Sequence, residues 1–250
     1  MNLKQVSSKI NGLPALVFWG LVWQLLAMAV DNPLLLPAPL QVLRCLGELM
    51  WTKAFWQTAF VSIGRVLLGV LSATALAVVL AVLTAGSRLA ELLIAPAMTA
   101  LQATPVASFT ILVLIWLERD WVPVLICGMM VLPVVWRGVH TGIRMTDPQL
   151  LEMAKVFRLS SWLVLKRIYV PAVQPFFRSA AASALGLAWK AGIAAEVLTV
   201  PKISIGRMIS EGKLYLLTEE LFAWTLTVIV LSLLLQKWML RLLNRRKVHA

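Results

Sequence analysis

The stretch DPQLLEMAKVFRLSSWLVLKRIYVP, Asp147 to Pro171, decides how the rest of the chain reads, because it is the longest interval that a bilayer could not hold. It carries Glu152, Lys155, Arg158, Lys166 and Arg167, and placing any one of them at a membrane centre costs on the order of 3 kcal/mol. The segment therefore lies in water. At helical period Leu150, Leu151, Ala154 and Phe157 share an apolar face beside Glu152, Lys155 and Arg158, which predicts a short amphipathic helix. Asp147 suits its N-cap and Pro148 its first turn. The spacing predicts an end near Leu159, then a second short helix, capped at Ser160 and Ser161, running from Trp162 to Ile168 and stopping before Pro171. A helix this small, with an apolar stripe and membrane spans on both sides, is expected to bury that stripe against a partner.

The remainder of the chain is apolar enough to make that interval the exception. Hydrophobic residues are 60% and charged residues 14% of the 250, with a mean hydropathy of +0.87. Such a composition belongs to a polytopic, all-helical membrane protein. The net charge of +12 does not point to nucleic acid, because the cations sit in loops between apolar runs of spanning length. Cys45 and Cys127 lie far apart without metal-ligand spacing and read as two unpaired thiols.

Six spans are expected, at about 12–30, 58–83, 89–117, 121–136, 177–200 and 221–238, within a single transmembrane domain covering 1–250. Ala27-Met28-Ala29 resembles a signal-peptidase site, yet the apolar run that contains it, from about Gly12 to Val30, is roughly 19 residues and long enough to span, so it is read as retained. Pro33, Pro37 and Pro39 mark an outer loop, followed by a surface helix over Leu40–Trp51. Gly69, Ala73, Ala77 and Ala81 recur every four residues along the second span, a stripe that lets helices approach closely. In the third, Pro96 and Pro105 interrupt the helix around Gln102 and Thr104, and a break facing the bundle interior is expected. The fourth span ends at Trp136, and 137–178 forms the inner loop.

Lysine and arginine then set the orientation. Fifteen fall on the side of the Glu152 helix, including Lys4, Lys9, Arg245, Arg246 and Lys247; six fall opposite, and Arg65 and Lys190 lie inside spans. The positive-inside rule puts both termini and the Glu152 helix in the cytoplasm.

No catalytic machinery is legible. Gly206 to Lys213 is the nearest phosphate-loop candidate, but five residues separate its glycines and Leu214 stands where Ser or Thr is needed. His140 and His249 are too few and too distant for zinc. No metal or cofactor is expected in this chain.

Arg65 and Lys190 each lie one turn from a small residue, Gly69 and Gly186, and are read as pointing inward, with Glu196 at a similar level. Two readings follow. They pair with Glu196 or reach the outer interface, or they make a pathway attractive to anions. Gln102, at the break, joins Arg65, Lys190 and Glu196 as a pathway candidate.

Glu152-Met153-Ala154, then Arg158, Ile168 and Val170-Pro171, resemble the EAA loop of ABC-importer permeases, whose pattern is Glu-Ala-Ala, a Gly four residues on, and Ile-x-Leu-Pro. Met153, Arg158 and Val170 depart from it, and losing the Gly removes the residue best suited to a left-handed turn. Leu36-Pro37-Ala38-Pro39, Gly186-Leu187-Ala188-Trp189 and Ala194-Ala195-Glu196 are similar to segments of the nitrate, sulfonate and taurine branch. The resemblance implies a type I ABC importer permease fold with a cytoplasmic coupling helix formed by Leu151, Glu152, Ala154, Lys155, Phe157 and Arg158. Phe157 would be its buried anchor, Ala154 would allow close approach and Glu152 would make a polar contact. It implies two ATPase subunits that bind ATP and magnesium, a second permease copy forming a homodimer, and an extracytoplasmic solute-binding protein delivering a small anion such as a sulfonate, taurine or nitrate. A secondary transporter, a polytopic membrane enzyme, and an importer of another small organic solute such as a vitamin precursor are the alternatives.

Overall fold

The computed structural model describes residues 12–244, so Lys4, Lys9, Arg245, Arg246, Lys247 and the placement of both termini lie outside the described residues. Ten helices follow one another within them: α1 (Gly12–Val30), α2 (Pro39–Met50), α3 (Lys53–Gly86), α4 (Arg88–Ala103), α5 (Val106–Val113), α6 (Val122–Arg144), α7 (Pro148–Val156), α8 (Ser161–Thr199), α9 (Ile205–Leu214) and α10 (Thr218–Asn244). Four of them, α3, α6, α8 and α10, are long and apolar enough to cross a membrane; α4 and α5 form a bent pair that can serve as one more span, and α1 carries a shorter apolar run over Pro14–Val30.

The bundle is centred on α6, which lies between α3 and α8. Small residues set that spacing. A β-carbon on Gly69 would lie 2.5 Å from the carbonyl oxygen of Val124 and 2.8 Å from Cβ of Cys127, and one on Gly192 would lie 2.5 Å from Sγ of Cys127. At the other end Gly138 meets Ala180, and Gly142 meets the backbone of Val173. Ala73, Ala77 and Ala81 are buried along the same face of α3, so the four-residue stripe is packing surface. Polar side chains tie the helices where they touch. Trp136 donates its indole N–H to Oγ1 of Thr84 at 3.1 Å, and Trp189 donates to the carbonyl of Val228 on α10 at 3.2 Å. Such bonds contribute about 0.6 kcal/mol each in membrane interiors.

Three expectations change. The fourth span does not stop at Trp136: α6 continues to Arg144, which pairs with Glu91 at the start of α4. The cations at the end of α6 thus find water and a carboxylate without the helix having to break. The second short helix does not stop before Pro171 either, because Ser161–Thr199 is one continuous helix. A π-turn over Leu165–Tyr169 makes this possible, with Val170 donating its N–H to Leu165 five residues back. The widened turn relieves the press of the Pro171 ring on the carbonyl of Arg167. Finally, Pro96 sits inside α4 and the chain breaks only at Thr104 and Pro105, where α4 and α5 meet at 102°. Gln102, Ala103, Pro105, Ala107 and Ser108 there are exposed. The break faces away from this chain's own bundle.

Candidate functional site

The Asp147–Pro171 segment is built from its caps inward. Asp147 accepts the N–H of Gln149 at 2.8 Å, with Pro148 in the first turn. At the other end Leu159 donates to the carbonyl of Ala154 and Arg158 to that of Lys155, at 2.9 and 3.0 Å, which is a Schellman closure of α7. It requires a left-handed residue, and Arg158 supplies it with φ of 50°. The turn expected of a glycine is therefore kept by an arginine, at a cost of roughly 1–2 kcal/mol. Ser160 then accepts the N–H of Leu163 and α8 begins.

The apolar face of α7 divides in two. Ala154 is buried and Leu151 half-buried within the chain, whereas Phe157 is 71% exposed, together with Met153 and Val156. Ala154 therefore packs inside this chain, and the large side chains that α7 leaves open are those of Phe157, Met153 and Val156. Glu152, Lys155 and Arg158 are exposed beside Phe157.

At the opposite end of α8, Glu196 organises a buried polar hub. Its Oε2 accepts from Oγ of Ser62 at 2.8 Å and from the N–H of Gly206 at 3.2 Å; its Oε1 accepts from Arg65 at 3.3 Å. Arg65 also donates to Asp120 and to the carbonyl of Ile203, both at 2.6 Å, and Ser62 accepts the N–H of Ile205. The hub thus joins α3, the turn before α6, α8 and α9. Val200 ends α8 in a left-handed conformation, φ 48°, an unusual strain for a β-branched residue, and the reversal lets α9 return onto Glu196.

Of the two cations inside spans, then, only Arg65 points inward and pairs with Glu196. Lys190 is exposed, with no ion pair among the described residues. It lies on an uncovered stripe of α8 with Ser183, Leu187, Ala194 and Leu198. Gly186, one turn earlier, faces Gln236 of α10, and among the described residues no helix covers the neighbouring stripe. The broken span runs alongside, because Leu101 and Val106, on either side of the break, pack against a cluster that includes Ala191 and Ala195. Gln102, next to Leu101, is exposed at this break. Ser62, Asp120 and Gly206 carry no sequence signal of a shared site, since they lie far apart along the chain; only the Ser62 to Arg65 spacing of one helical turn hints at a common face.

Residues 73–249 match the family model described as binding-protein-dependent transport system inner membrane component. The chain belongs to this family. As such a permease it is the membrane-embedded, multi-pass component of an ABC importer, working with ATPase and binding-protein partners. It is 26% identical over 236 residues to the putative aliphatic sulfonates transport permease protein of Bacillus subtilis, covering 94% of this chain and 84% of that one. It is 22% identical over 250 residues to the taurine transport system permease protein of Escherichia coli, covering 97% and 89%. A putative ABC transporter permease of Methanocaldococcus jannaschii is 26% identical over 216 residues, covering 84% and 79%.

Proposed function

We propose that this permease forms, with a second copy of itself, the pathway by which a small organic or inorganic anion of the sulfonate, taurine or nitrate kind enters the cell. The observation that carries the reading is Lys190: a cation within a span that has no ion pair among the described residues, on the exposed stripe of α8 beside the broken helix. A cation in a span faces protein or water, and with no helix among the described residues covering it, the space between two copies provides that setting. Gln102 lies at the same break, and α5 starts there without a side-chain cap, so the positive end of its dipole adds to the attraction for anions. The sulfonate and taurine permeases among the relatives support the same solute class.

Both termini and α7 lie on the cytoplasmic side in this reading, and two ATPase subunits, which bind ATP and magnesium, take the exposed Phe157, Met153 and Val156 into a groove. Glu152, Lys155 and Arg158 ring that anchor with polar contacts. ATPase closure favours one state of the pathway because it binds the two states unequally. The Arg65 and Glu196 hub keeps α9 seated on the outer end and is not itself in the path.

Transport in vesicles containing the permease, its ATPase and its binding protein tests the proposal. Lys190→Met should slow sulfonate or nitrate uptake several-fold while Lys190→Arg preserves it, and the ATPase should co-purify with the permease. Unchanged anion uptake in Lys190→Met would overturn the anion assignment; purification without any ATPase would overturn the assembly.

A further inference from the structure

At the end of the bundle that carries α7, the last turns of α3 and α6, the first turns of α8 and Met239 of α10 leave a cavity of about 830 Å³. Val78, Val82, Val139, Ile143 and Val173 make much of its wall, and Tyr169, Gln174 and Arg178 are its polar members; no Asp or Glu lines it. Tyr169 and Leu165 come from the π-turn of α8. Nη2 of Arg178 is buried with no acceptor among the described residues, and no ion pair to its guanidinium is found among them. An uncompensated cation in an apolar recess calls for an anion.

The depth of Arg178 identifies which kind. From Arg178 to Thr199 α8 rises about 32 Å at 1.5 Å per residue, close to the roughly 30 Å of bilayer hydrocarbon. With Thr199 at the outer boundary, the guanidinium sits at inner headgroup level. Lys237 and Trp238, adjoining Met239, suit the same interface. A soluble anion would leave the valine walls unused, whereas each methylene of an acyl chain gains by covering them. We propose that the cavity seats one anionic phospholipid of the inner leaflet. Its phosphate pairs with Arg178, its glycerol esters lie beside Tyr169 and Gln174, and an acyl chain rises past Val78 and Val139. Because the π-turn forms one wall, such a lipid would brace the part of α8 that directly follows the coupling turn.

Native mass spectrometry of the assembled transporter in mild detergent, with phosphatidylglycerol, phosphatidylcholine or glycerol 3-phosphate added, tests this. One phosphatidylglycerol per permease chain should be retained about fivefold better than phosphatidylcholine, the advantage of one cation near an anionic headgroup, and millimolar glycerol 3-phosphate should not displace it. Arg178→Gln should abolish the preference and Arg178→Lys should keep it. Val82→Trp, which fills the cavity without touching the charge, should lose retention altogether. Equal retention of both lipids by the wild type, unchanged preference in Arg178→Gln, or displacement by glycerol 3-phosphate would overturn the proposal. So would cross-linking of a cysteine at Val82 to the second permease copy, which would mean that protein fills the cavity.

Discussion

The carboxylate of Glu196 accepts the backbone N–H of Gly206 at 3.2 Å, and a β-carbon on Gly206 would run into Glu196 and the backbone of Val197. The close approach is backbone on backbone, so no side-chain rotation relieves it. Gly206→Ala should therefore lift α9 off α8 and cost about 1–3 kcal/mol of overpacking, read as a lower thermal midpoint of the detergent-purified transporter. Gly64→Ala is the control, because its added carbon meets nothing within 4 Å. Equal midpoints for the two variants would show that the contact is not confining.

Removing the carboxylate should cost more. Glu196→Ala leaves Arg65 with Asp120 and the Ile203 carbonyl but without its buried counter-charge, and leaves Ser62 and the Gly206 N–H without their acceptor. Breaking a buried pair from one side costs about 3–5 kcal/mol, so this variant should express poorly, whereas Asp120→Asn, at the half-exposed rim of the hub, should lose about 1 kcal/mol or less. Expression yield and thermal midpoint together order the two.

Arg158 gives a prediction of opposite sign. Its left-handed conformation costs roughly 1–2 kcal/mol that glycine would not incur. Arg158→Gly should keep the Schellman closure and raise the local stability of α7, seen as slower amide exchange at Leu159. Arg158→Val should open the turn, speed that exchange and weaken ATP-driven uptake.

Phe157→Ala should leave membrane insertion and yield unchanged, because the ring is 71% exposed in this chain. If the ring fills a groove on the ATPase, losing it costs at least 2 kcal/mol of binding. Transport should then fall while basal ATP hydrolysis persists. Normal coupling in this variant would remove α7 from the ATPase interface.

Cys45 on α2 supplies a pH test. Burial, then the carboxylates of Glu220, Glu219 and Glu48, push its thiol above the ordinary cysteine value. A raised thiol value means less thiolate at any given pH, so maleimide labelling should be slower than for a free thiol at neutral pH and climb above about pH 8.5. Glu219→Gln with Glu220→Gln should bring the onset down. Cys127, buried within α6, stays silent in the same assay.

What could be read from sequence follows the range of the forces involved. Apolar runs and the charged interval at Asp147 to Pro171 act locally, so the helices, including the short capped α7, are legible. Boundaries at prolines are not. Whether Pro171 ends a helix depends on a π-turn that the residue order does not announce, and Pro96 is accommodated in α4 while Pro105 is not. Arg65 and Lys190 looked equivalent, each a cation one turn from a glycine. Their difference lies in distant partners: Asp120, Glu196 and Ile203 converge on Arg65, and none of these reaches Lys190.

The unbroken run of α8 from Ser161 to Thr199 has a mechanical corollary. At 1.5 Å per residue it is a rod of about 58 Å, joined at its foot to the Arg158 turn and at its far tip to Glu196. Tilting such a rod by about 5° displaces the tip by about 5 Å, without any intermediate joint having to flex. A small push beneath the membrane would then arrive above it as a swing wide enough to shift α9 and the loop that Arg65 clasps.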